Sequence, residues 1–391
     1  MSLYDDASII LTPNAYKAGK LYSLKPTDGT ADFDVVRATT ATRVNEDGLL
    51  ESVGVNVPRL DYSGGGCPSI LVEPQSTNLI TYPVSFTNKY WTKSGASVQG
   101  DASTAGIEVV VNGDFATDTD WTKGTGWTIG GGVANATSAT GILAQVIGAI
   151  ANNAIVLITM NITGSPMNFQ MRYGGLTVSY FSTGNISFYA TSNGNALLEI
   201  IPNGAMTGTI DNVSVKEVQG FSAPSVDNPT SAFKLVATAN NGNINRYIPA
   251  TTGNNYANSI WIKRILGSGT VYLGSPGGAY TTITLTSEWE RFDVSVLLND
   301  VNSFYGVRLA TAGDEVMIFG AQNEQLSYPT SLILPAVEGS TSTRNADVIS
   351  ITGLTGTSTI TETYDDDTTA TFTNPTSHTL SQKRIKLLIR E

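Results

Sequence analysis

Few side chains in this 391-residue sequence are equipped for covalent chemistry. His378 is its one histidine and Cys67 its one cysteine. A single imidazole excludes multi-histidine metal sites, and a single thiol excludes an intramolecular disulfide or a cysteine-rich zinc site. Cys67, between Gly66 and Pro68, reads as a small buried or turn residue. There is no Gly-x-Ser-x-Gly elbow and no Gly-x-x-x-x-Gly-Lys phosphate loop. Glycoside hydrolysis needs only two well-spaced carboxylates, and 33 acids leave it open, but no parallel β-helix repeat accompanies them. The chain is read as non-enzymatic. Its aromatics offer more. Sugars present flat C–H patches that stack on rings, and hydroxyls that need Asn, Gln, Asp or Arg. Between 107 and 219 the candidates are Trp127, Tyr173, Tyr180 and Tyr189, with Gln170 and Arg172 as polar partners. Trp127 follows Gly124 and Gly126 in a glycine-rich turn, where packing and stacking are equally open. Trp121, beside a first strand, is expected in the core, as are Trp91, Trp261 and Trp289 next to alternating strands.

The elements that would hold these residues are strands. Alternation of period two runs through Asn168–Tyr173 and again through Arg291–Val296. Clusters such as Gly130-Gly131-Gly132 and Asn240-Asn241-Gly242-Asn243 separate the runs. The pattern is that of short antiparallel strands joined by tight turns, an all-β chain of β-sandwich (jelly-roll) domains. Hydrophobic residues make up 41%, enough for a core, while only 14% are charged against about 25% in ordinary domains. A net charge of −11 without a long basic cluster argues against nucleic acid as a partner. The most apolar stretch, Ile147 to Ile162, is broken by Asn152, Asn153 and Asn161, so no membrane insertion is expected. Arg37, Arg43 and Arg59 are expected in surface ion pairs. Asp365-Asp366-Asp367 reads as a solvated hairpin tip.

Five segments separate: an irregular N-terminal leader (1–73), a strand-rich stretch (74–106), a self-contained unit (107–219), resumed strands (220–345) and a small β-rich tail (346–391). The unit 107–219 resembles the jelly-roll carbohydrate-binding modules of xylanases and glucanases. Its opening "VVNGDFATDTDW", the later "GW" at Trp127 and its closing "GTIDNVSVKEV" carry the likeness. The flanks resemble predicted fibre-like surface proteins of tailed bacteriophages. There the likeness lies in "ATRVNEDGLLESVGVNVPRLDYSGGGCPSILVEPQSTNLI", "YWTKSGASV", "LTSEWERFDVSV", "VRLATAGDEVMIFGAQNEQLSYPTS" and a Thr-Arg-x-x-Asp-Val ending. With 107–219 removed, 74–106 and 220–345 join into one outer β-sandwich, so the module reads as an insertion at a loop tip.

The resemblances imply a function. It is that of a virion structural protein, a head or tail fibre or decoration displaying glycan-binding domains to the bacterial host. The alternatives are a decoration without a sugar site and a tail depolymerase. The module family often holds one structural Ca²⁺ where first and last strands meet. Resemblance places Asp114 and Asp211 there; no other cofactor is implied. Expected partners are other virion proteins, a host-surface glycan and further copies of the chain, as a homotrimer. Two physical hints accompany the trimer. The leader is rich in apolar residues (Ile9, Ile10, Leu11, Leu21) without regular alternation, and so needs another surface to cover it. The tail ends in a short apolar strand, Ile385-Lys386-Leu387-Leu388-Ile389-Arg390, that gains by adding to a neighbouring sheet edge.

Overall fold

The computed structural model describes every residue except Met1, Ser2, Ala18, Gly19, Pro166, Gly174, Gly175, Phe181 and Ser182, with backbone alone for Leu3 and 176–180. Its described residues are all-β apart from one helical turn, Leu3–Asp6, and two short 3₁₀ turns. Every named strand pair is antiparallel.

Two sandwiches dominate. The inserted one pairs a sheet of Thr122–Lys123, Leu143–Val146, Leu197–Pro202, Phe169–Tyr173 and Leu176–Tyr180 with a sheet of Trp127–Ile129, Ala134–Ala139, Met206–Val218, Ile155–Gly164 and Gly184–Thr191. The outer one pairs Thr92–Ser94, Gly242–Pro249, Asn302–Leu309, Val271–Gly274 and Tyr280–Ile283 with Ala96–Gln99, Phe233–Ala237, Glu315–Glu324, Asn255–Leu266 and Glu290–Leu297. In chain order, both place strands one, four, nine, six and seven in the first sheet. Both place two, three, ten, five and eight in the second. The inserted sandwich sits between strands two and three of the outer one, so one topology is nested in a loop of itself.

The likeness reaches single side chains. Each sandwich begins with a Phe–Trp pair, Phe86 with Trp91 (ring centroids 5.3 Å apart) and Phe115 with Trp121 (5.1 Å). Both indole N–H groups donate to a backbone carbonyl nine residues earlier, Trp91 to Tyr82 (3.2 Å) and Trp121 to Asn112 (3.0 Å). Both tryptophans are followed by Thr-Lys. At the other end, the Ala321 N–H donates to the Pro83 carbonyl and the Val213 N–H to the Gly113 carbonyl, each at 2.9 Å. Strands five and ten share a bulge, between Ser259 and Trp261 in one sandwich and Thr159 and Asn161 in the other. In both, a residue of strand ten at the bulge takes a left-handed backbone, Gly320 (φ +67°) and Asn212 (φ +51°). A Cβ on Gly320 would stand 2.8 Å from Leu332.

Leader and tail form a third unit together. Arg384–Arg390 pairs with Ile9–Leu11, Thr359–Tyr364 and Ser69–Leu71, while Asp34–Val36 pairs with Val348–Thr352. Ile9, Leu11, Leu21, Ile70, Ile349 and Leu388 share one core. The leader is therefore covered and the tail strand paired within the chain, and both hints of an open surface are corrected. The leader's short strands are too brief to alternate visibly, and three of them, Ile9–Leu11, Asp34–Val36 and Ser69–Leu71, are held by partners more than 300 residues away.

Charge locks this unit to the outer sandwich. Arg37 and Arg59 are fully buried rather than at the surface. Arg37 Nη1 lies 2.8 Å from Asp347, and Arg59 bridges Glu73 (2.7 Å) and Asp347. Arg344 approaches both carboxylates at 3.5 Å. Glu73 also accepts the Ser331 N–H and hydroxyl, each at 2.7 Å. Burial alone would raise the Glu73 carboxyl, but Arg59, Arg344 and Ser331 hold it at about 2. Arg43 alone keeps a half-exposed pair, with Glu51.

Candidate functional site

The aromatic face expected on the inserted sandwich is not built. Trp127 is 5% exposed, and its indole N–H donates to the Gly141 carbonyl at 2.8 Å. The glycines around it create a close backbone seat instead of an open platform: a Cβ on Gly126 would stand 2.5 Å from Ala139 Cα. Tyr173 is 1% exposed, on the inward parity of its strand with Phe169 and Met171. Both are core residues, which corrects their expected exposure. Gln170 and Arg172 do share the outward parity. Arg172 pairs there with Glu199, its cross-strand partner. Tyr180 sits opposite Phe169; its side chain lies outside the described residues. Tyr189 belongs to the other sheet, so the six residues do not converge.

The calcium expectation also fails on geometry. Opening and closing motifs meet through Gly113 and Val213, as the resemblance implied. However, Asp211 accepts from the backbone and side chain of Asn212 (2.7 and 2.9 Å), and the exposed Asp114 accepts from Ala116. The Thr117 and Thr119 carbonyls accept from the Asn112 side-chain amide at 2.7 and 3.0 Å. Among the described residues no group of three or more His, Cys, Asp or Glu gathers for a metal. The hard oxygens a calcium ion requires are not assembled.

Tyr189 lines a seam of about 480 Å³ between the two sandwiches, with Val98, Phe188 and Lys93. Lys93 is equivalent to Lys123 of the other sandwich. Lys123 pairs with Asp118, whereas among the described residues Lys93 donates to the carbonyls of Thr87 and Asn88 (3.1 and 3.3 Å) and to no carboxylate. Burial without a carboxylate pulls its amine down to about 8.

A second cleft, of about 430 Å³, opens where the leader–tail unit meets the outer sandwich. Its floor is the outward face of strands five and eight. Ile260 and Ile262 point into the core, which leaves Ser259, Trp261 and Lys263 on the opposite parity. Across the sheet Trp261 pairs with Arg291, and Trp289 shares the parity of Arg291. Both tryptophans are half-buried, and the Lys263 ammonium stands 5.1 Å from the Trp289 ring. Arg43, Asp61 and Arg384 supply the leader–tail wall. Burial alone would raise the Asp61 carboxyl, but Arg384 and bonds from Ser63 and Val44 hold it below the usual range. Two indole rings beside fixed guanidinium and carboxylate groups are the combination that holds a sugar. Trp261 and Trp289, expected in the core, pack at its edge against the cluster of Val44, Leu50, Phe319 and Leu332 and also line this cleft. A signal of that second role was there, because each falls on the polar parity of its own strand. Elsewhere, His378 is buried on Phe372 with its Nε2 at 2.8 Å from Glu362. Cys67 is exposed in a turn.

No family model matches the chain, and no curated protein does. Among solved structures there is remote similarity to an N-terminal tandem of two CBM22 domains from Paenibacillus barcinonensis Xyn10C. It covers 57% of this chain and 99% of that one, at 10% identity and a TM-score of 0.22. A triple-jelly-roll protein of an archaeal virus turret matches over 78% of this chain and 90% of its own, at 9% identity and 0.18. Scores this low leave the reading to the chain's own geometry.

Proposed function

We propose that this chain is a structural and adhesive protein of a phage virion surface, on head or tail, that binds a host-envelope glycan without cleaving it. The flanking sequence blocks support the virion role. The cleft of Trp261 and Trp289, with charged groups on both walls, carries the glycan reading. It moves the site from the inserted sandwich to the junction of the outer sandwich with the leader–tail unit. A glycan array probed with the full chain and with Trp289→Ala tests it: binding by the first and its loss in the second, with the variant still cooperatively folded, is the expected outcome. Equal binding by both would remove the site. Release of reducing sugar from bound polysaccharide would replace the binder with a depolymerase. A decoration role without sugar is the second reading, favoured by the packing of Trp127 and Tyr173 into the core. Assembly as a homotrimer now rests on the resemblance alone. Light scattering checks it, since one subunit is 41.3 kDa and three would give about 124 kDa.

A further inference from the structure

Arg291 differs from the other guanidinium groups of the cleft. Arg43 is paired with Glu51 and Arg384 with Asp61. Arg291 forms no ion pair with any described carboxylate. Its Nη2 donates to the Ser259 hydroxyl at 2.8 Å, and its Nε is buried without an acceptor. The indole N–H of Trp261, its cross-strand neighbour, is likewise buried without an acceptor. Desolvation lowers the Arg291 pKa, and the more distant Glu324, Glu73 and Asp293 offset that only in part. A desolvated cation without a counter-ion is unfavourable, and an anion placed against it recovers much of that loss. Guanidinium geometry suits a planar carboxylate in particular.

Resting on the glycan reading above, we infer that the cleft selects carboxylate-bearing sugars, such as uronates or sialates, through Arg291 beside Trp261 and Trp289. The ring faces take the sugar's C–H patch, and Arg291 takes its carboxylate. The equivalent positions of the inserted sandwich carry Asn161 and Asn185 in place of Trp261 and Arg291. That face therefore has neither the platform nor the charge.

The test is binding of the full chain to an array of uronate- and sialate-containing glycans, each printed beside its carboxyl-reduced counterpart. The expected binders are carboxylated, with affinity falling roughly tenfold or more on reduction. Arg291→Gln should abolish that preference in a chain that still folds and still binds the reduced forms; Arg291→Lys should restore part of it. Binding of reduced and acidic glycans alike, still lost in Trp289→Ala, would overturn the carboxylate inference and leave the glycan reading standing. No binding to any glycan would overturn both. An Arg291→Gln chain that keeps its preference for acidic glycans would overturn the role of Arg291.

Discussion

The two sandwiches share a strand order, an opening Phe–Trp pair and a closing bulge, yet they spend their outward faces differently. The inserted copy carries Asn161, Asn185 and Asp211 around its bulge; the outer copy carries Trp261, Arg291 and Phe319 at the same positions. The inserted copy keeps a core of its own residues and needs no further unit to complete it. The outer copy is covered by the leader–tail unit, and its large outward side chains pack against Val44 and Leu50 of the leader. One fold thus serves twice, once as a self-contained module and once as half of a cleft. The inward face fixes the topology, and the outward parity is free to differ.

The largest effects should come from the residues both copies share. Trp91→Ala and Trp121→Ala each delete a buried indole and its carbonyl bond, and each should destabilise its sandwich by about 3–5 kcal/mol. Trp127→Ala should fall in the same range, because that ring is core and not platform. Calorimetry of the variants checks this; a Trp127→Ala chain with an unshifted melting temperature would return the ring to the surface.

The copies should part under acid. Glu73 titrates at about 2 in the folded chain against 4.5 as its ordinary value. A carboxyl depressed on folding stabilises above its unfolded pKa, and that stability is lost as pH falls from about 4.5 toward 2. Its contribution is of the order of 3 kcal/mol. The leader–tail unit and outer sandwich should therefore melt before the inserted one at low pH. Glu73→Gln, which leaves Arg59 and Arg344 short of a counter-charge, should destabilise by roughly 3–5 kcal/mol at neutral pH. Denaturation followed by hydrogen exchange separates the units; loss of both sandwiches in one acid step would count against their independence.

A smaller difference lies in the paired lysines. Lys93 should titrate near 8 in ¹³C-ε-lysine spectra. Because its folded pKa is below the unfolded one, stability should rise between about pH 8 and 10.5. A Lys93 titration near 10.5 would show that the seam between the sandwiches is open to water.

Much of the fold was legible because it is written locally. The alternation of Phe169–Tyr173 and of Arg291–Val296 is seen as strands, and the glycine and asparagine clusters fall in turns. The leader was not legible, since Ile9–Leu11 owes its place to Arg384–Arg390 at the other end of the chain. Trp127 misled because a glycine-rich turn marks either exposure or close backbone approach, and only the position of Gly141 decides. The Trp-Thr-Lys tripeptide at Trp91 and Trp121 is a short echo of the repeated topology. Arg37 and Arg59 looked like surface cations because the carboxylate they share, Asp347, lies 310 and 288 residues further along the chain.

Placement of the glycan site on the outer and not the inserted sandwich is tested most directly by one paired binding measurement. Host-envelope glycan is titrated into the full chain carrying Trp289→Ala or Arg172→Ala, the first half-buried at the edge of a core cluster and the second exposed, with folding of each variant checked by its melt. Loss of binding with Trp289→Ala and wild-type affinity with Arg172→Ala is the predicted result. Wild-type affinity with Trp289→Ala, and loss with Arg172→Ala, would return the site to the inserted sandwich.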